Sequence, residues 1–470
     1  MALQESGSAN SGRAGSIEPR SSSTCTRTLA TSPIIEGRVG HALRPTRDSH
    51  ASPGARLTSA ARGRRLLLVW SKEFPMPVTA VLRAFAVIPL LALQEGPDES
   101  SLADVAPASS LRSGVHATSV ASLLAATGGR AVTDSRGATS IVVPPGTHAL
   151  GQRYTFTESI EIRGAGPQVS ELVWAGTGGG FVLDAGTGTG AARVLFSVHD
   201  LSLMTSAASA GRAVEVVSQS GIGTHERTAD LWNLEIAGVP ASGGYWTEAI
   251  HVSGGREMRI RNCELRCVLT GANNTPPAGT TAITLRGGSH PTNHVISENE
   301  ILFWDRGTRL SETVEGVTIT SCTYLACNSG VDWTTSATLP YLNVANCHFD
   351  VFNVAASLSR CSDSYFHDNL IYRRGSMANA KGVYIGDGSN NVHLHNNIIR
   401  SPTPNPSPGW DGIIVGQAEY ISIESNHVIN AHTGVWLQSS CSNSVVFDNI
   451  FVNSGNQDVV NQGTGNNIRP

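Results

Sequence analysis

The chain has 470 residues, a formal net charge of −4 and only 15% charged side chains. That balance excludes the basic face a nucleic-acid partner needs, and no apolar run reaches the roughly 20 residues that span a bilayer. Eight cysteines in this length do not make a disulfide scaffold, while 49 glycines among many small polar residues suit numerous short strands joined by turns.

Residues 1–75 are rich in Ser, Arg, Ala, Gly and Thr, with few large apolar side chains to bury. They read as a disordered tail or as an upstream artefact. A different pattern starts at Met76. Arg83 supplies a short positive region and Ala84 to Leu93 an apolar one, as in a secretory signal peptide over 76–94. No clean small-x-small cleavage triplet follows, and the alternative is a tail with a chance apolar patch. Residues 95–114 turn acidic and then Ser- and Ala-rich, the composition of a linker. Val120, Leu123 and Leu124 then fall at helical spacing, with Thr118 or Ser119 as N-cap and Gly128 as stop. Two strand-like stretches follow, SIVVPPGTHAL (Ser140 to Leu150) and SIEIRGAG (Ser159 to Gly166).

From Ala229 onward the chain repeats a unit φ-x-φ-x-x-[N/C]-x-φ, where φ is apolar. Val392-x-Leu394-His395-Asn396-Asn397-x-Ile399 is one copy, and Ile421-x-Ile423-Glu424-Ser425-Asn426-x-Val428 is the next. The sixth position is filled in turn by Leu234, Cys263, Asn299, Cys322, Cys347, Asn369, Asn397, Asn426 and Asn449, which is 215 residues over eight steps, about 27 each. The spacing is irregular. Loops that vary while strands keep register exclude helical repeats of fixed length. They point to an all-β solenoid, a single-stranded right-handed parallel β-helix over 115–470. It has about nine regular coils and a short N-terminal capping helix at 118–127. At the sixth position a turn asparagine tolerates left-handed backbone, and its amide can bond from coil to coil. Cys263, Cys322 and Cys347 occupy the same slot as small buried fillers. Cys322 and Cys347 lie on neighbouring coils within disulfide reach, but side chains that point the same way oppose a bond.

These motifs resemble those of pectate-lyase-superfamily β-helix proteins. SIVVPPGTHAL resembles the strand that opens such folds, SIEIRGAG the turn that follows it, and the φ-x-φ-x-x-N-x-φ copies the general β-helix repeat. The resemblance covers about residues 115–470. It implies a fold shared by polysaccharide lyases, glycoside hydrolases, C5-epimerases, phage tailspikes and proteins without a known reaction. It implies no single activity, because the hydrolase, epimerase and calcium-lyase signatures of the better-marked members are absent here. No cofactor is called for, with calcium as the open alternative.

Each coil carries a second strand, G/A-φ-x-φ, whose x faces out. The outward file is Glu215, His251, Thr284, Arg309, Asp332, Ser357, Tyr384, Ile414 and Trp436. Its N-terminal half is ionisable, and its C-terminal half carries two aromatics, as a sugar chain requires. The catalytic candidates are Asp305, Arg309, Asp332, Asp350 and Arg373. Asp332 with Asp305 or Asp350 would give the carboxylate pair of a hydrolase. Arg309, Arg373 or His251 would serve a lyase, which takes a proton beside a uronate carboxylate. His251, Tyr384 and Trp436 are the substrate-binding candidates. The bland alternative is that the charged neighbours are surface pairs of little energetic weight. His393 and His395 share an outward face but lack a third metal ligand. The functional expectation is a secreted protein that binds polysaccharide and acts within the chain as a lyase or hydrolase. The alternative is a non-catalytic glycan-binding or adhesion protein. Oligomeric state is not fixed by the sequence.

Overall fold

A computed structural model of the chain describes residues 114–469, except 134, 136–137, 186–193, 219–227, 271–273, 288–291, 376 and 403–408. The tail, signal and linker expected over 1–113 lie outside the described residues. No helix among the described residues is long and apolar enough to cross a membrane.

The helix expected at 118–127 is present as Val115–Thr127. It starts earlier than the capping pattern suggested: Gly114 is the N-cap, and Thr118 Oγ1 donates to Gly114 O at 3.0 Å from inside the first turn. Gly128 stops the helix in left-handed geometry, at φ 65°, with its N–H donating to Leu124 O at 2.8 Å. Val120 and Leu123 are fully buried against the first coil. The helix therefore covers an end that would otherwise expose core and unpaired strand. The Ser140 to Leu150 stretch forms two strands, Thr139–Val142 and Gly146–Leu150, because Pro144 and Pro145 cannot donate to a ladder. Thr139–Val142 pairs antiparallel with Arg130–Thr133, and after that hairpin the named strands pair in parallel, coil on coil.

Each coil contributes to three parallel sheets. The first contains the φ-x-φ strands, such as Val317–Thr320 on Leu342–Ala345. The second follows the sixth-position turn, as in Leu370–Arg373 on Ile398–Arg400. The third contains the G/A-φ-x-φ strands and runs without a break from Tyr154–Phe156 to Gln457–Asn461, twelve rungs joined by eleven pairings. This exceeds the nine coils read from the repeat. The extra rungs precede Ala229, where the sixth slot holds Leu201, paired in register with Leu234, so the asparagine signal is missing. A right-handed coil is the hand expected of parallel crossovers and is consistent with this stacking.

The glycine of G/A-φ-x-φ has a steric cause. A Cβ on Gly330, Gly382 or Gly434 would lie 2.4 Å from a carbonyl oxygen of the next rung. A large side chain there would push the rungs apart. The inward φ residues fill the core, and Val383, Ile385, Leu394, Ile399 and Phe366 are all at 0% exposure. Each contributes about 1.5–3 kcal/mol by burial.

The sixth-position file is the ladder expected. Asn397 Oδ1 accepts from Asn369 Nδ2 at 3.0 Å, Asn426 Oδ1 from Asn397 Nδ2 at 2.9 Å, and Asn449 Oδ1 from Asn426 Nδ2 at 3.0 Å. One detail corrects the sequence reading. The left-handed residue is the fifth of the unit, not the sixth: Asn346, Asp368, Asn396, Ser425 and Asp448 have φ between 53° and 57°. That turn swings the sixth side chain inward, where its amide must find partners. Cys322 and Cys347 are buried and free, in keeping with their parallel side chains.

Candidate functional site

The outward file of the third sheet has the register read from the repeat. Glu215 pairs with His251, His251 with Thr284, Thr284 with Arg309 and Arg309 with Asp332. Ser357, Tyr384, Ile414 and Trp436 continue it, one residue per rung. Rungs are about 4.8 Å apart, so the file is a straight stripe. A second outward file lies three residues earlier on each strand and carries Arg212, Glu248, Thr281 and Arg306. A third lies two residues later and carries Ser253, Arg286, Ser311 and Thr334.

Between these files lies a groove of about 490 Å³, lined by Arg212, Glu248, His251, Thr284, Arg286, Arg309 and Glu312 among others. Its floor is a polar network. Glu248 accepts from Arg212 Nε at 2.7 Å and from Thr284 Oγ1 at 2.9 Å. His251 Nδ1 lies 2.9 Å from Glu248 Oε2, close enough for an ion pair but off the line of a straight hydrogen bond. Burial pushes the Glu248 carboxyl up, but His251, Arg212 and Thr284 outweigh it and hold the group down at about 2. Arg212 also bridges to Glu215, Glu215 to Arg153, and Arg286 to Glu312. Asp332 pairs with Arg306 Nε at 3.5 Å and accepts from Thr334 Oγ1 at 2.8 Å. Arg309, its neighbour in register, is exposed, and its side chain has no hydrogen bond or ion pair to any described residue. The expected Arg309–Asp332 contact is thus replaced by Arg306–Asp332, which leaves a free guanidinium at the mouth of the groove.

His251 is only 4% exposed and forms part of the floor instead of standing out from the stripe. Beyond the groove, Tyr384 and Trp436 are half-buried and flank Ile414 in the same file. Tyr384 lies over backbone: a Cβ on Gly386 would come within 2.5 Å of its hydroxyl. Lys381 Nζ stands 5.6 Å from its ring centre.

The other catalytic candidates do not join this cluster. Asp305 sits at the corner before the Arg306–Glu312 strand, where it accepts from Gly279 N at 2.8 Å and Asn328 Nδ2 at 3.0 Å and so ties the Gly279 turn to the Thr323–Pro340 strand. Asp350 and Arg373 belong to the second sheet, not the third. Asp350 is bound to Arg374 Nη1 at 2.5 Å. Arg373 is 4% exposed and donates to Met377 O at 2.9 Å. Asp350 thus lies on a different sheet from Asp332, and Asp305 is engaged by Gly279 and Asn328. Sequence reasoning missed Glu248, Arg212 and Arg286. The signal for Arg212 and Glu248 lay three residues before the file, where Arg306 also falls; Arg286, two residues after it, stands alone among Ser253, Ser311 and Thr334.

A second depression of about 300 Å³ lies elsewhere, beside Glu235, Glu264 and Glu300, which stack in register on the second sheet. Arg266 Nη2 reaches Glu235 at 2.7 Å and neutralises part of this charge.

A family model described as periplasmic copper-binding protein (NosD) matches residues 292–469, the C-terminal coils. No curated protein matches the chain. Among solved structures, the A-module of the Azotobacter vinelandii mannuronan C-5 epimerase AlgE4 is similar. It has 15% identity and a TM-score of 0.55, over 76% of this chain and 96% of that one. The Yersinia enterocolitica family 28 exopolygalacturonase shows 9% identity and a TM-score of 0.48, over 70% of this chain and 73% of that one. In fold, the chain is a parallel β-helix protein.

Copper is named for the matched family, and the candidate donors in that region do not converge on a common point. His367 and His395 stack at 4.7 Å with rings 7° from parallel, so their lone pairs lie in parallel planes and do not converge. Both ring nitrogens of His367 are engaged, at 2.7 Å with Asp368 and 3.1 Å with Asn343. The sulfurs of Cys322 and Cys347 face backbone carbonyls inside the core. Among the described residues no three His, Cys, Asp or Glu side chains gather as a metal site. This donor set does not fit a copper centre.

Proposed function

We propose that this chain is a secreted glycan-processing β-helix that binds a linear polysaccharide along the third sheet and acts within it as a lyase or hydrolase. The groove around His251, Arg309 and Asp332 is the reacting centre in this reading. Tyr384 and Trp436 hold the chain further along. The observation that carries the reading is the unpaired, exposed Arg309 among groove charges that are otherwise paired. A cation left free beside a long polar stripe suits a carboxylate or hydroxyl cluster arriving from solution. The stripe's length suits a polymer, with each rung adding one weak contact. Secretion rests on the signal-like segment at 76–94, with residues 95–114 as a linker to the β-helix domain.

The test is a panel of uronic and neutral polysaccharides, assayed for new reducing ends and for the near-ultraviolet absorbance of unsaturated products. Arg309→Ala and Asp332→Ala should lose turnover on whichever substrate the parent cleaves. Binding without cleavage would leave a glycan-binding protein in place of an enzyme. If no glycan is bound or cleaved, the reading fails.

A further inference from the structure

We propose that Glu248 and His251 are the proton-transfer pair of this groove: His251 removes a proton beside a substrate carboxylate that Arg309 neutralises, and the glycan opens by β-elimination. The inference rests on the glycan reading of the third sheet given above.

The two residues stand three apart on the strand Glu248–Gly254, one in each of two adjacent outward files. The pleat alone does not bring them together; the Nδ1–Oε2 separation of 2.9 Å does. Glu248 is held in place by Arg212 at 2.7 Å from the rung before and by Thr284 at 2.9 Å from the rung after. Its carboxylate is kept ionised, so it favours the imidazole tautomer with the proton on Nδ1. The Nε2 edge is then the lone-pair edge, and the ring lines the groove. The charged groups around this imidazole are Arg212 and Glu215 on one side, Arg286 and Glu312 on the other, and Arg309 two rungs on. All but Arg309 are paired with one another.

That arrangement favours elimination over hydrolysis. A hydrolase requires one carboxyl that keeps its proton and a second at a set distance. Here Glu215, Glu248, Glu312 and Asp332 each have an arginine partner. Elimination needs a base and a cation, and the groove supplies one of each. In the step, His251 Nε2 takes the proton from the carbon next to the carboxylate. The pair of that C–H bond becomes a carbon–carbon double bond, and the C–O bond on the adjacent carbon breaks with its electrons on oxygen. The imidazolium returns its proton to that oxygen. Atoms and charge balance without an oxidant or reductant. His251 is the catalytic residue, and Glu248 positions it.

The experiment uses the full chain on the uronic members of the panel. The parent should give unsaturated ends, and His251→Asn should lower kcat by a hundredfold or more with an unchanged melting temperature. Glu248→Gln should lower kcat with little change in KM and should move the acid limb of the pH profile. A merely structural Glu248 would lower the melting temperature and leave that limb in place. If Glu248→Gln fails to fold, the His251→Asn rate decides alone. Reducing ends without unsaturated ends, or full activity in His251→Asn, overturns the pair but leaves the glycan reading standing. Failure of the parent to bind or cleave any glycan removes both.

Discussion

Replacing Asn397 with leucine tests what holds the coils in register. The side chain is fully buried, and its amide bonds to the coils on both sides at once. Its Oδ1 accepts from Asn369 N at 3.1 Å and Asn369 Nδ2 at 3.0 Å, and its Nδ2 donates to Phe366 O at 2.9 Å and Asn426 Oδ1 at 2.9 Å. Leucine has the same branched heavy-atom skeleton but offers none of these bonds. Asn369 Nδ2 retains Val344 O at 3.1 Å, whereas the Asn369 N–H loses its acceptor. One orphaned buried donor costs about 1–3 kcal/mol, and the lost side-chain bonds add about 1, so the variant should be less stable by about 2–4 kcal/mol. Denaturant unfolding followed by circular dichroism measures this directly. Any glycan activity per folded molecule should be unchanged, since the ladder faces the core. Asn449→Leu, at the less buried end of the same file, should cost less. A midpoint for Asn397→Leu equal to the parent's would refute the view that the ladder is structural.

The packing of the coils has other consequences. His294 is buried, and burial depresses its pKa to about 4, while an unfolded histidine titrates near 6.5. The folded chain binds fewer protons between those values, so stability should fall as pH drops from about 6.5 to about 4, by about 3 kcal/mol at most. His294→Leu should flatten that limb of the stability–pH curve. Gly382→Val places a side chain where a Cβ would meet Gly412 O at 2.4 Å, and should cost about 1–3 kcal/mol in urea unfolding. Trp436→Ala should weaken oligosaccharide binding roughly three- to tenfold by titration calorimetry, with the rate at saturating substrate nearly intact. Affinity in the parent should rise with oligosaccharide length and then level off.

Much of the fold was legible because two local signals coincide in the C-terminal coils, from Asn369 to Asn449. Period-2 alternation marks the strands, and the inward asparagine marks the turn that follows. The polar fifth position, from Asn233 to Asp448, is equally visible in the sequence and is the left-handed residue of the turn. The stripe was legible too, because one outward residue per G/A-φ-x-φ strand needs no knowledge of loop lengths. The rest depended on how the coil bends between sheets. Asp350 and Arg373 are near Asp332 and Arg309 in coil number but lie on another side of the cross-section, and no local pattern announces that corner. Ion-pair choice was also beyond local pattern. Asp332 neighbours Arg309 in register yet bonds to Arg306, three residues earlier on the same strand as Arg309. The Glu248–His251 contact has no local sequence signal, because a strand's alternation places residues three apart in different files and only side-chain rotamers bring them together.

The most direct test of the account is to locate an oligosaccharide on the protein. Titrating a uronic oligosaccharide into labelled protein, or soaking it into crystals of the inactive His251→Asn variant, should place it along the third sheet. Contacts should run from the Arg309 guanidinium toward Tyr384 and Trp436. Sugar bound instead beside Glu235, Glu264 and Glu300 on the second sheet, or on the first sheet, would contradict it.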